Sequence, residues 1–390
     1  MSLPRLRIAF ISYKFGHEYG GAEAYGVELM RELSQYHDIT VITKEYAAQC
    51  DLQLPRILVS IPNYLPSWLQ VFWFAKKAAQ ITNVHSYDVV HSHTNGWNAD
   101  IDVLHVKSVR YHHLYRHTSW LKRVNTYLSP RLNMYLWLEK QRVHQQPPKR
   151  TVVVSEWLKK QIQAAYHTSY PFDVITPGVH IPKTHAEQRA LTRKKLGFSK
   201  EDVVSILVAR NPLSKGLNTL VTALETCAPT MKLLVVGPPL AFIKSYAAQL
   251  SPALQARVRF VEQTESIHPY YEAADLCVHP TLNDSFGMAP LEAMSYGLPV
   301  ILSQAKYCGF AHHVRHLYQA WVLEDPTDAH ALAQALQQVA QNSDLRQDLA
   351  RNGQQLALTF SWPQIAQHYQ QLYIEILAHR QHHKKPNPFA

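Results

Sequence analysis

Apolar residues in this chain come as short continuous runs, and between the runs the spacing changes to that of a helix. Ile8-Ala-Phe-Ile11 is one such run, long enough for a strand buried on both faces. Gly20-Gly21 marks a turn, and from Ala22 to Leu33 the residues Tyr25, Leu29 and Leu33 share one helical face. Ile39–Thr43 returns to a strand pattern and closes a βαβ opening. Further strands are predicted at Ile57–Ile61, Asp88–His91, Asp102–Val106, Thr151–Val154 and Asp173–Ile175. A second series runs through Ser205–Ala209, Leu233–Val236, Val258–Val261, Leu276–His279, Val300–Leu302 and Trp321–Leu323. Strands alternating with helices predict an α/β protein of two Rossmann-like, doubly wound domains. Ligands of such domains gather at the C-terminal edge of the parallel sheet, so two of them facing each other would leave a cleft.

Pro177-Gly178 and the polar run from Lys183 to Lys200 separate the two series. The predicted division is residues 1–177 and 178–360. Ser361-Trp-Pro363 caps a last helix ending near Leu377 (361–378), and a basic tail follows at 379–390, expected to be disordered. A length of 390 residues suits two domains.

With 46% hydrophobic and 17% charged residues the chain is a packed globular protein and not a disordered one. A net charge of +10 points to a polyanionic partner: nucleic acid, a phosphorylated glycan or an anionic membrane surface. Cys50, Cys227, Cys277 and Cys308 show no C-x-x-C spacing and read as reduced thiols of a cytoplasmic protein. The start has no signal-peptide layout, and no apolar run approaches the roughly 20 residues of a membrane span, so the expectation is a soluble or peripheral protein.

The sharpest chemistry lies in Asp284-Ser-Phe-Gly-Met-Ala-Pro-Leu-Glu292, followed by Gly297-Leu-Pro299 and an apolar strand. Asp284 falls in a loop, and Phe286, Gly287 and Met288 are expected to open a helix whose first free amides can face an anion, with Ser285 a further donor-binding candidate. Glu292 stands about two turns further on and can reach the same ligand from another side. In Arg210-Asn-Pro-Leu-Ser-Lys215-Gly216, two cations precede a helix, a match for a diphosphate. Gly20-Gly21 lets backbone approach a ligand, but Gly-x-Gly-x-x-Gly is absent and no dinucleotide fingerprint exists here. His91 and His93 share a strand face; no third ligand sits at metal-site spacing, which favours a structural or hydrogen-bonding role and predicts no metal.

From Val103 to Leu138 there is no acidic residue, while Lys107, Arg110, Arg116, Lys122, Arg123 and Arg131 interleave with Tyr111, Tyr115, Trp120 and Tyr127. Such a segment suits an anionic lipid interface, a single-stranded nucleic acid or a solvated basic face.

The acid motif resembles the E-x₇-E of retaining family 4 glycosyltransferases, with Asp in place of the first Glu. Gly20-Gly21-Ala-Glu23 is similar to that family's Gly-Gly-x-Glu turn, and Arg210 and Lys215 match its phosphate-holding pair. Cys308-Gly309-Phe310-Ala311-His312, Ile175-Thr-Pro-Gly-Val179 and Ala274-Asp-Leu-Cys-Val-His-Pro280 look like the bacterial lipopolysaccharide core glucosyltransferases. The resemblance implies the GT-B architecture, with the last helix crossing back onto an N-terminal acceptor domain. It implies a nucleotide-sugar donor such as UDP-glucose, no cofactor or metal, and a lipid-linked, heptose-containing core acceptor. Arg210 and Lys215 would hold the diphosphate. Asp284 and His105 would touch the sugar, Glu292 the ribose, and Gly20 and Gly21 the sugar and phosphate. It tips the basic segment toward an anionic membrane surface, on the cytoplasmic face of the inner membrane, and away from nucleic acid. The alternatives are transfer to another glycan or lipid acceptor, a sugar-nucleotide epimerase, and a non-enzymatic nucleic-acid-binding protein.

Overall fold

A computed structural model describes residues 4–94, 98–106, 108–115, 119–143, 145–183, 185–264 and 266–384, with 382–384 described as backbone alone. The chain divides into two compact units, Met1–Gly178 with Trp362–Ala390, and Val179–Ser361.

The first unit holds β1 (Arg7–Ile11), β2 (Lys14–Phe15), β3 (Asp38–Thr43), β4 (Glu45–Tyr46), β5 (Arg56–Leu58), β6 (Val89–Ser92), β7 (Ile101–Leu104), β8 (Arg150–Val153) and β9 (Asp173–Val174). Its main sheet runs β5-β3-β1-β6-β7-β8-β9, with β2 and β4 paired separately. The pairing is parallel throughout. The chain moves outward from β1 through β3 to β5, then returns to β6 and moves the other way. The order therefore reverses between β1 and β6, where a doubly wound sheet opens a crevice. Helix Gly21–Leu33 buries Tyr25, Val27, Leu29, Met30 and Leu33 in the core beside this sheet. Strand β7 stops at Leu104, short of the predicted Val106, which leaves His105 in the loop at the sheet's C-terminal edge.

The second unit repeats the plan with β10 (Val203–Val208), β11 (Met231–Val236), β12 (Val258–Val261), β13 (Leu276–His279), β14 (Val300–Ser303) and β15 (Trp321–Leu323). Their order is β12-β11-β10-β13-β14-β15, so the reversal falls between β10 and β13. Strand β10 is apolar apart from Ser205, whose hydroxyl finds the Lys232 carbonyl at 2.8 Å; a buried strand leaves no polar group unmatched at little cost.

The last helix, Trp362–Lys384, belongs to the first unit. Trp362, Ile365, Ala366, Tyr369, Leu372, Tyr373 and Ile376 recur at three- and four-residue spacing and lie in that unit's core. The helix does not end near Leu377, and residues 379–384 are not a loose tail. No proline intervenes before Pro386, and Arg380 donates to the Asp88 carbonyl at 2.8 Å and pairs with Asp100, which fixes the extra turns.

Candidate functional site

At the β10/β13 reversal two loops meet. The loop after β10 carries Arg210, a 3₁₀ turn at Leu213–Lys215, and Gly216 with φ 84°. A Cβ on Gly216 would stand 2.1 Å from the Pro280 carbonyl oxygen, so only glycine lets this loop press on the one after β13. The Leu282 amide donates to the Ser214 carbonyl at 3.1 Å and ties the two together. The result is that Lys215 Nζ lies 2.5 Å from Asp284 Oδ2, and His279 Nε2 lies 3.1 Å from the same oxygen.

Burial alone would raise the Asp284 pKa, but the His279 hydrogen bond and the Lys215 charge outweigh it and hold the carboxyl well below its usual range. Burial pushes the His279 ring down, so it is neutral and its Nε2–H donates to Asp284. Its Nδ1 is buried without a hydrogen-bond partner among the described residues. Arg210 is exposed and makes no hydrogen bond or ion pair among the described residues, as suits a cation awaiting a ligand.

The segment after Asp284 is set by the loop Cys308–Phe310. Asp284 N donates to the Tyr307 carbonyl at 2.7 Å, and Gly309 N to the Asp284 carbonyl at 3.2 Å. A Cβ on Gly309 would meet the Ser285 carbonyl oxygen at 2.2 Å, so the Cys-Gly-Phe sequence is what allows this backbone contact. Phe286 is buried edge-on to Phe310, with ring centres 5.6 Å apart. Helix Met288–Ser295 then opens at Gly287 with no side-chain cap, which leaves its first amides open to an anion. Ser285 and Met288 are half-buried at its mouth. Glu292, further along, has Oε2 2.7 Å from the Tyr271 hydroxyl, and burial raises its pKa above the ordinary glutamate value.

The first unit carries a different set. Gly20 is the N-cap of helix Gly21–Leu33, and Gly21 faces open space. His105 packs against Tyr25 and His93, with ring centres 4.8 and 4.5 Å away, and burial lowers its pKa to about 3. It is therefore an uncharged hydrogen-bonding group at neutral pH. His91 Nδ1 lies 2.7 Å from the Tyr373 hydroxyl and His93 Nε2 3.2 Å from His91 Nε2. Burial takes His91 to about 3 and His93 well below its ordinary value. Among the described residues no group of three His, Cys, Asp or Glu side chains is arranged to hold a metal ion.

The basic segment is narrower than its sequence suggests. Lys107 and Arg116 lie outside the described residues. Arg110 is not an outward cation: its Nε donates to the Ala165 carbonyl at 2.7 Å and its guanidinium lies over the Tyr166 ring at 5.1 Å. Buried Glu139 accepts from Ser108, Val109 and Tyr166 and pins this stretch inward. Tyr111 is half-buried and stacks on Tyr115. Helix Trp120–Leu128 is the exposed part. Trp120, Leu121, Val124, Tyr127 and Leu128 form an outward apolar stripe, with Lys122 and Arg123 exposed beside it. Among the described residues no helix is long and apolar enough to cross a membrane.

Nothing local in the sequence marks His279 or Tyr271 as partners of the two acids. Tyr271 is recruited by the packing of one helix on another, and His279 by the turn of the chain after β13; a single histidine at the end of an apolar strand carries no signal of its own.

Two doubly wound units, with a cation–carboxylate pair and an open helix N-terminus where the second sheet reverses, define the class: a nucleotide-sugar glycosyltransferase of GT-B fold. Two family models agree. Residues 19–182 match Glycosyltransferase Family 4 and residues 188–356 match Glycosyl transferases group 1. The chain belongs to the family 4 glycosyltransferases, which sets aside the epimerase and non-enzymatic alternatives. It is 23% identical over 367 residues to the lipopolysaccharide glucosyltransferase WaaG of Escherichia coli (strain K12), covering 90% of this chain and 94% of that protein. The D-inositol 3-phosphate glycosyltransferase of Corynebacterium urealyticum is 29% identical, over 51% of this chain and 50% of its own length. Among solved structures, WaaG, described as a glycosyltransferase involved in lipopolysaccharide biosynthesis, superposes with a TM-score of 0.79 at 20% identity, covering 93% of this chain and 98% of WaaG. Anabaena Alr3699/HepE, solved in complex with UDP and glucose, gives 0.73 at 21% identity, covering 94% and 99%.

Proposed function

We propose that this chain moves glucose from UDP-glucose onto the heptose-containing inner core of a lipid-linked lipopolysaccharide or lipooligosaccharide, with retention at the anomeric carbon. The observation that carries this reading is the ion pair of Lys215 with Asp284 at the β10/β13 edge, beside the uncapped helix at Gly287, with Arg210 exposed on the same loop as Lys215. Near-full-length similarity to a lipopolysaccharide glucosyltransferase supports the acceptor class, and a structural neighbour solved with UDP and glucose supports the donor.

In this reading Arg210 forks onto the diphosphate and Lys215 adds a point charge. The amides after Asp284 complete the cradle, Asp284 takes sugar hydroxyls, and Glu292 takes the ribose. Gly20 and Gly21 allow the sugar and phosphate close to the backbone, and neutral His105 offers the sugar a hydrogen bond. The bond from the anomeric carbon to the diphosphate oxygen breaks as the acceptor hydroxyl oxygen bonds to that carbon from the same face. The hydroxyl proton passes to the departing diphosphate. Rate enhancement comes from positioning and from fixed charges meeting the charge that develops on the leaving group. Two cations and a helix terminus supply that charge without a metal ion or cofactor.

The exposed stripe on helix Trp120–Leu128, flanked by Lys122 and Arg123, fits the anionic inner face of a membrane, where such an acceptor is presented. The test is incubation with UDP-glucose and lipopolysaccharide truncated at its inner-core heptose. Formation of an α-linked glucosyl product, read by NMR of the anomeric proton, is the expected result. Transfer from a different nucleotide sugar only, or to a different acceptor only, would replace this reading.

A further inference from the structure

Glu292 is held by a residue from another helix. Tyr271 lies on His268–Ala273 and is fully buried, inside the hydrophobic core of the second unit. Its hydroxyl is 2.7 Å from Glu292 Oε2 and 3.4 Å from the Ala289 carbonyl; with one proton to give, it serves the nearer acceptor. Phenylalanine would fill the same space without burying a hydroxyl, so the oxygen is there for the carboxylate. Tyr296, the C-cap of the helix that carries Glu292, stacks on Tyr271 with ring centres 5.0 Å apart, and its own hydroxyl meets His268. The Tyr296 ring thus braces the phenol from the helix that bears its acceptor, and His268, on Tyr271's own helix, holds Tyr296 in place. Glu292 Oε1 makes no hydrogen bond among the described residues.

We propose that Tyr271 is a positioning residue for nucleotide recognition: it clamps Oε2 of Glu292 so that Oε1 is presented to the ribose diol of the donor. The inference rests on the reading of Glu292 as the ribose acceptor. A free glutamate must lose side-chain freedom when it takes a diol, and a clamped one has already lost it. The clamp therefore acts on nucleotide affinity and on discrimination between ribose and its deoxy analogue, and leaves the chemical step alone.

The experiment compares binding of UDP and of 2′,3′-dideoxyuridine diphosphate to wild type, Y271F, E292A and the double variant, with thermal unfolding of each unliganded protein as the check on folding. Y271F should weaken UDP about five-fold while binding the dideoxy analogue as wild type does, with kcat unchanged and KM raised. In the E292A background Y271F should add nothing. Site-specific 3-fluorotyrosine at position 271, a stronger donor of nearly the same size, should hold the discrimination at or above wild type, so the proposal stays testable even if Y271F does not fold. Wild-type discrimination in Y271F, equal loss of both nucleotides, additive losses in the double variant, or lost discrimination with 3-fluorotyrosine would each overturn it. If E292A itself keeps full discrimination, the ribose reading fails and takes the clamp with it; if E292A loses it and Y271F does not, only the clamp fails.

Discussion

Both sheets reverse their winding next to their first strand, at β1/β6 and at β10/β13, yet the two edges carry different chemistry. The β10/β13 edge collects Arg210, Lys215, Asp284 and Glu292, with an ion pair held at 2.5 Å and a carboxyl kept ionised. The β1/β6 edge collects His91, His93, His105 and Tyr25, all neutral, with Tyr369 and Tyr373 brought in by the last helix. Topology decides where a ligand can sit, and the charge at that place decides what sits there. A diphosphate belongs to the charged edge. The histidine and tyrosine side chains of the other edge offer hydrogen bonds and ring faces.

The comparison breaks most readily at the cations. R210A or K215A should lower turnover by about 2–4 kcal/mol of transition-state stabilisation, as loss of one oxyanion donor does. Release of UDP from UDP-glucose measures it, and near-normal turnover in either variant would remove the phosphate assignment.

Acid should separate the two units. A histidine whose folded pKa is lowered contributes stability that is complete above its unfolded value of about 6.5 and is lost as pH falls below it, about 2 kcal/mol per residue by pH 5. His91, His93 and His105 all shift that way. Asp284 is depressed, so its contribution is present above an unfolded value of about 3.9 and is lost only as pH falls through its lower folded value. Between pH 6.5 and 5, amide hydrogen exchange should quicken more in β1, β6 and helix Trp362–Lys384, where three histidines shift together, than in β10 and β13, where His279 shifts the same way. Equal quickening in both units would contradict this.

A smaller effect separates Asp284 from the cations. Because Asp284 holds Lys215 in the unliganded protein, D284N should leave UDP bound at least as tightly, by up to about 1 kcal/mol, while UDP-glucose loses its sugar contact. Calorimetry with both ligands reads the pair, and weaker UDP binding would mean that Asp284 supports the nucleotide directly. The least effect concerns the membrane. K122Q and R123Q should each weaken binding to phosphatidylglycerol vesicles by about 1 kcal/mol in a salt-dependent way, and unchanged co-sedimentation would make the helix a solvated face.

The two edges also differ in how far they can be read from sequence. Arg210 to Lys215 and Asp284 to Glu292 are local patterns, because a phosphate cradle is built from one loop and one helix start at a time. The partners are another matter. Lys215 and Asp284 meet across 69 positions, Tyr271 reaches Glu292 by the packing of one helix on another, and Tyr373 reaches His91 across 282. The doubly wound fold was legible because its strands are unbroken apolar runs. The end of the last helix was not, because Arg380 finds Asp88 and Asp100 only after the chain has folded back. Arg110 misleads for the same reason: its cation reads as surface charge until Ala165 and Tyr166 are beside it.

The central claim is that the nucleotide diphosphate is held by the charged edge of the second unit. Isothermal titration of UDP against wild type, K215A, E292A and H105A tests it directly. K215A and E292A should each bind about ten-fold more weakly or worse, and H105A, whose partner is the sugar, should bind as wild type does. Wild-type affinity in K215A and E292A, or a loss confined to H105A, would contradict it.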